Sequence, residues 1–165
     1  MPSFSGAASI YIDRPPEAVF SVLADPDNFP KINKLPGGGG TQGITRVDGA
    51  KSGPMSGGDL FIEHWWTAET DTNFDYPWIC QESTPNQRLK IAEQGKMGDG
   101  HFYQAITYDF TPSGSGTVYS RGIRFDFPEG LLEQAPKNEA DSYLQYVGLQ
   151  YGMAMALKKY VEGLS

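Results

Sequence analysis

Few side chains in this chain can do chemistry near neutral pH. There are two histidines, His64 and His101, and a single cysteine, Cys80. His64 has a run of strand-forming residues around it, and its unperturbed pKa of about 6.5 lets it both take and give a proton. Arg121 stays protonated throughout, so it can stabilise an enolate or bind a carboxylate but cannot act as a base. Tyr108 adds a neutral hydrogen-bond donor. Together the three could abstract a proton beside a carbonyl and steady the oxyanion that forms. Other chemistries find little support. His64, His101 and Cys80 lack ligand-like spacing, so no metal is expected. Nothing near Cys80 would activate its thiol, which favours a buried, inert group. No Gly-x-Ser-x-Gly elbow occurs, and the Gly-rich segment Asp48 to Gly58 lacks the spacing of a phosphate-binding loop.

These residues lie on segments that read as strands: Phe4–Ile12, Gly43–Asp48, Asp59–Thr67, Phe74–Ser83, Arg88–Glu93, His101–Phe110 and Thr117–Phe127. Side chains alternate along a strand, so parity assigns faces. Leu60, Ile62, His64 and Trp66 form the more apolar set of their strand. That places His64 inward and Glu63 outward. The inward sets that follow are Phe74, Tyr76, Trp78 and Cys80; Leu89 and Ile91; and Phe102, Gln104, Ile106, Tyr108 and Phe110. On the last strand Tyr119, Ile123, Phe125 and Phe127 carry Arg121 with them. A bulge near Gly122 would turn Arg124 inward instead. A buried arginine needs an anionic partner or ligand, and Glu82 at a rim is a structural alternative. Should His64 stand on the convex face, Glu63 becomes the carboxylate to examine.

Turns such as Thr84-Pro85-Asn86 and Pro112 to Gly116 join consecutive strands into an antiparallel meander. Asp13 to Glu17 starts a short helix through Leu23. A second helical turn covers Pro26 to Ile32, and Leu35 to Gly40 reads as a flexible loop. The stretch Asn138–Gly163 reads as one helix of roughly 38 Å. Asn138 caps it, and Tyr143, Val147, Gln150, Ala154, Leu157, Val161 and Leu164 share one face. Gln150 is the polar member of that seam. A sheet with one apolar face must cover it, and this helix is the element large enough to do so.

The chain has 165 residues, which suits one domain, 1–165, with one core. Its 13% aromatic content builds either a large core or a pocket wall. A net charge of −7 argues against nucleic acid and anionic membranes. The N-terminus lacks the pattern of a signal peptide, so a cytoplasmic protein is expected.

The phrases Ile10 to Phe20 (IYIDRPPEAVF), Asp25 to Ile32 (DPDNFPKI), Gly57 to Phe61, and Tyr108 to Pro112 (YDFTP) with Gly116-Thr117 resemble the START-like superfamily, also called SRPBCC. So does the C-terminal helix. The superfamily includes polyketide cyclases, lipid-transfer domains and the birch pollen allergen family. The resemblance implies an α+β helix-grip fold: a seven-stranded curved antiparallel sheet wrapped around a long C-terminal helix, with two short helices between strands 1 and 2. It also implies an apolar cavity for a small organic ligand or substrate, and no cofactor. It carries over no catalytic residue.

The first expectation is a cyclase or dehydratase of the polyketide cyclase kind. His64, Arg121 and Tyr108 would be catalytic. Trp66, Tyr76, Trp78, Phe102, Gln104, Tyr119, Arg124, Tyr146, Gln150 and Met153 would bind ligand. The rival is a non-catalytic carrier or sensor of a lipid-like ligand. A third reading is a protein-binding module whose uncharged helix covers an interface, as in a homodimer. Against all three stands the ordinary role of aromatics and histidines at strand parity, which is to pack and to hydrogen-bond within a core.

Overall fold

The computed structural model describes residues 3–35, 37–47, 49–97, 100–127 and 147–164. Strand β1 (Ser3–Ile12) leads into helix α1 (Pro16–Ala24), whose proline at the first turn suits the missing N–H there. Asp25 then caps a short 3₁₀ turn by accepting the Asp27 N–H at 3.0 Å. Helix α2 (Phe29–Ile32) follows. Six strands come next: β2 (Gly39–Arg46), β3 (Leu60–Thr67), β4 (Thr72–Thr84), β5 (Arg88–Met97), β6 (Gly100–Ser113) and β7 (Gly116–Asp126). Helix α3 (Leu149–Gly163) closes the chain.

All seven strands pair antiparallel in one sheet, in the order β1-β7-β6-β5-β4-β3-β2. Each strand from β2 to β7 pairs with its chain neighbour, as a meander must. The exception is β1, which closes the far edge on β7. Helix α3 packs on β1 and β7 and touches both short helices. Gln150, Met153, Ala154, Leu157 and Val161 are buried on it. The seam ends before Leu164, which is 45% exposed because the chain turns extended after Gly163. The first nine residues of the expected helix, 138–146, with Tyr143 and Tyr146 among them, lie outside the described residues.

Polar contacts fix the end of α3 to the end of β1. Lys158 Nζ donates to the Tyr11 carbonyl at 2.9 Å, and Arg14 Nη2 donates to the Glu162 carbonyl at 2.8 Å. Cations there also complement the negative end of the helix dipole. Beneath this end the core is filled by Ile12, Val19, Phe20, Leu23, Phe29, Ile32, Tyr119 and Leu157.

The segment read as a flexible loop up to Gly40 is partly strand. Gly39 and Gly40 open β2 with φ of 107° and 128°. A Cβ on Gly40 would lie 2.1 Å from the Asn33 carbonyl oxygen. Glycine therefore lets β2 start against the end of α2, which carries Asn33 and Thr41 towards the interior. Among the described residues, no helix is long and apolar enough to cross a membrane.

Candidate functional site

Between the filled core and the start of α3, the concave face of the sheet lines a cavity of about 130 Å³. Its wall combines Trp65, Tyr76, Trp78, Ile106, Ile123, Leu149 and Met153 with Asn33, Glu63, Gln104, Tyr108, Arg121 and Gln150. That is a mostly apolar, aromatic concavity with a few convergent polar groups.

Glu63 organises one side. It is 4% exposed. Asn33 Nδ2 donates to its Oε1 at 3.1 Å, and Thr41 Oγ1 donates to the same oxygen. Trp78 Nε1 donates to Oε2 at 2.8 Å. A buried carboxylate is tolerable only with donors of this kind. They come from the segment after α2, from β2 and from β4.

Glu93, buried on β5, is held differently. Gln104 Nε2 on the neighbouring strand donates to its Oε2. Burial pushes its pKa up to about 7; the Gln104 bond pulls it down and the Glu63 charge adds a further rise. Tyr76, packed edge-on against Trp65 with centroids 6.5 Å apart, is pushed up to about 12 by burial and by both carboxylates. It is thus a proton donor, never a phenolate, at physiological pH.

Arg121 on β7 organises the other side. It is 6% exposed, and its guanidinium lies 5.5 Å from the centre of the Tyr108 ring, a cation–π arrangement. Burial pushes the Tyr108 hydroxyl up to about 12, with the Arg121 charge opposing that rise. Arg121 Nη1 donates to Gln150 Oε1. A guanidinium has no acceptor, so the contact fixes which end of the amide faces it. Gln150 Nε2 is left buried with no hydrogen-bond partner among the described residues. An unsatisfied buried donor costs about 1–3 kcal/mol. Among the described residues Arg121 forms no ion pair, so the alternative pairing with Glu82 is not made.

No protein-family model and no curated protein matches the chain. Solved structures do. The di-domain ARO/CYC StfQ from the steffimycin biosynthetic pathway superposes with a TM-score of 0.71 at 12% identity. The match covers 97% of this chain and 51% of StfQ, so the chain spans about half that protein's length. Ara h 8.0201 gives a TM-score of 0.64 at 14% identity, over 97% of this chain and 98% of that one. An AHSA1-like protein from Aeromonas hydrophila gives 0.61 at 21% identity, over 96% and 92%. These neighbours are START-like proteins. The chain has the START-like helix-grip fold. Its cavity occupies the space between sheet and helix that this fold encloses.

The cavity brings together Arg121, Tyr108, Tyr76, Trp78, Gln104, Gln150 and Met153 from the residues singled out in the sequence. Others stand elsewhere. His64 is on the convex face, where Nδ1 meets Asp75 Oδ1 and Nε2 meets Thr45 Oγ1, each at 2.7 Å. Trp66 shares that face, and its Nε1 donates to Asp71 Oδ1 at 2.9 Å. Both corrections have one cause: β3 has the opposite parity, with Phe61, Glu63 and Trp65 inward. Leu60, 44% exposed, is the visible consequence. Arg124 also faces outward, because β7 keeps its register with both neighbours through Gly122 and has no bulge there. Its guanidinium pairs with Asp126 at 3.0 Å. Phe102 stacks on Phe125 at 5.5 Å, and Tyr119 packs on Phe110 at 5.6 Å, so both serve the core rather than the cavity wall.

The lining residues missed were Trp65, Asn33 and Leu149, whereas Glu63 is the carboxylate already named for the case of His64 on the convex face. Glu93 was legible, since it continues the parity of Leu89 and Ile91. Cys80 is buried as expected, and burial pushes its thiol up to about 11. Among the described residues no cluster of His, Cys, Asp and Glu could hold a metal ion.

Proposed function

We propose that the protein takes a small, largely apolar, oxygenated organic molecule into this cavity and acts on it by proton transfer beside a carbonyl, leading to ring closure or loss of water. The observation that carries the reading is the pairing of an aromatic wall with a buried, permanently charged Arg121, beside a carboxyl, Glu93, that is bonded to the wall residue Gln104 and whose pKa burial pushes up to about 7. Glu93 takes the acid–base role that His64 cannot fill from the convex face, since a group with pKa near the working pH serves best. Arg121 and the Tyr108 hydroxyl steady the oxyanion in a water-poor site. The likeness to StfQ, an ARO/CYC protein by its description, supports the same class. No cofactor is required for this chemistry.

The rival reading is a carrier that holds the ligand unchanged. It is favoured by the complete engagement of Glu63, whose three donors make it a structural carboxylate rather than a reactive one. Native mass spectrometry of the purified protein incubated with cell extract separates the two. A retained small molecule that is chemically altered over time supports the enzyme, and one released unchanged supports the carrier. Retention of no small molecule would sink both.

A further inference from the structure

We infer that the ligand of this cavity is a small aromatic or unsaturated carboxylic acid, bound as its anion with the carboxylate between Gln150 Nε2 and the Arg121 guanidinium. This deepens the proposed function and rests on the cavity being a ligand site.

Two features point to a carboxylate. Gln150 lines the cavity, and its Nε2 is fully buried with no acceptor among the described residues. Arg121 beside it is buried without an ion pair, and its guanidinium bonds only to Gln150 among the described side chains. A neutral carbonyl oxygen would satisfy the amide but leave the buried positive charge without an anion. One carboxylate answers both, accepting from Nε2 with one oxygen and from the guanidinium with the other.

The chain's own carboxylates do not fill that place. Glu63 is held by Asn33, Thr41 and Trp78. Glu93 is held by Gln104, which lies four residues from Tyr108 along β6, roughly 13 Å at strand rise. Tyr108 is the residue paired with Arg121 across β6 and β7. Held there, the Glu93 carboxyl forms no ion pair with Arg121.

The remaining wall sets the rest of the molecule. Trp65, Tyr76, Trp78 and Met153 offer flat apolar faces. The volume of about 130 Å³ is close to that of a cavity that takes one benzene ring. Benzoate is therefore the fitting probe, with benzamide and benzyl alcohol as neutral counterparts of the same ring.

Calorimetric titration at neutral pH tests the inference. Benzoate is expected to bind at least roughly tenfold more tightly than either neutral probe, the scale of one charge-assisted hydrogen bond. In Gln150→Glu the new carboxylate would pair with Arg121. Benzoate affinity should then fall by roughly tenfold or more, and by more than the affinity of benzamide. Neutral probes that bind wild-type protein as tightly as benzoate would overturn the carboxylate and leave the ligand site standing. If none of the three probes binds, the ligand-site reading falls, and the inference with it. The comparison on wild-type protein decides even if Gln150→Glu does not fold.

Discussion

Replacing Glu93 with Gln should stabilise the protein, and only at the upper end of the pH range. Glu93 is 4% exposed, and burial is the main reason its pKa rises from 4.5 to about 7. Between those values the native state binds more protons than the unfolded chain, so stability falls as pH rises through the interval. Below about 4.5 both states are protonated and the side chain carries no ionic penalty. Above about 7 both are ionised, and the penalty reaches roughly 3 kcal/mol at about 1.4 kcal/mol per pH unit, an upper bound because water reaches part of the site. Gln keeps the shape and an oxygen to accept the Gln104 amide, but never ionises. Urea denaturation of both proteins at about pH 5 and about pH 8 is the assay. Glu93→Gln should be more stable by up to about 3 kcal/mol at the higher pH and by less than about 1 kcal/mol at the lower. The groups facing Glu93, namely Glu63, Tyr76 and Gln104, are common to both chains, as are the carboxylates held below their usual range, Asp126 and Glu162. Their contributions to the pH profile therefore largely cancel in the difference. A gap that is constant across pH, or a variant less stable at pH 8, would refute the reasoning.

Trp78→Phe keeps the ring but removes the Nε1 donor from Glu63 Oε2; denaturant unfolding should show a loss of about 2 kcal/mol, as for other hydrogen bonds to charged groups. An unchanged midpoint would mean that Glu63 does not depend on that donor. His64→Ala should shift stability by less than about 1 kcal/mol, since its pairing with Asp75 is solvent-exposed, and should leave benzoate titration unaltered. A tenfold loss of affinity there would contradict its place on the convex face. Gly40→Ala places a Cβ against the Asn33 carbonyl at a positive φ and should lower stability by about 3 kcal/mol or more, read by thermal unfolding. A melting temperature within a few degrees of wild type would show that β2 can shift away from α2.

The order of elements was legible because each signal is local. Pro16 at a helix start, the turn at Thr84-Pro85-Asn86 and the alternation along β4, β6 and β7 depend on near neighbours alone. Parity placed Trp78, Gln104, Tyr108 and Arg121 on the concave face, and four-and-three spacing placed Gln150 opposite them. On β3 the same method failed, for a physical reason. Both parities are apolar there, Leu60, Ile62 and Trp66 against Phe61 and Trp65, so hydrophobicity could not choose between them. The choice rests on Glu63, which can be buried because Asn33, Thr41 and Trp78 meet it from 30, 22 and 15 residues away. Convergence of that kind belongs to the folded chain. The same holds for the cavity beside Gln150, for the lack of an acceptor for its Nε2 among the described residues, and for the shift of Glu93 towards neutrality. Sequence determined which face most strands turn inward; tertiary structure decided which charges that face could hold, because burial and donor supply are set by residues distant in the chain.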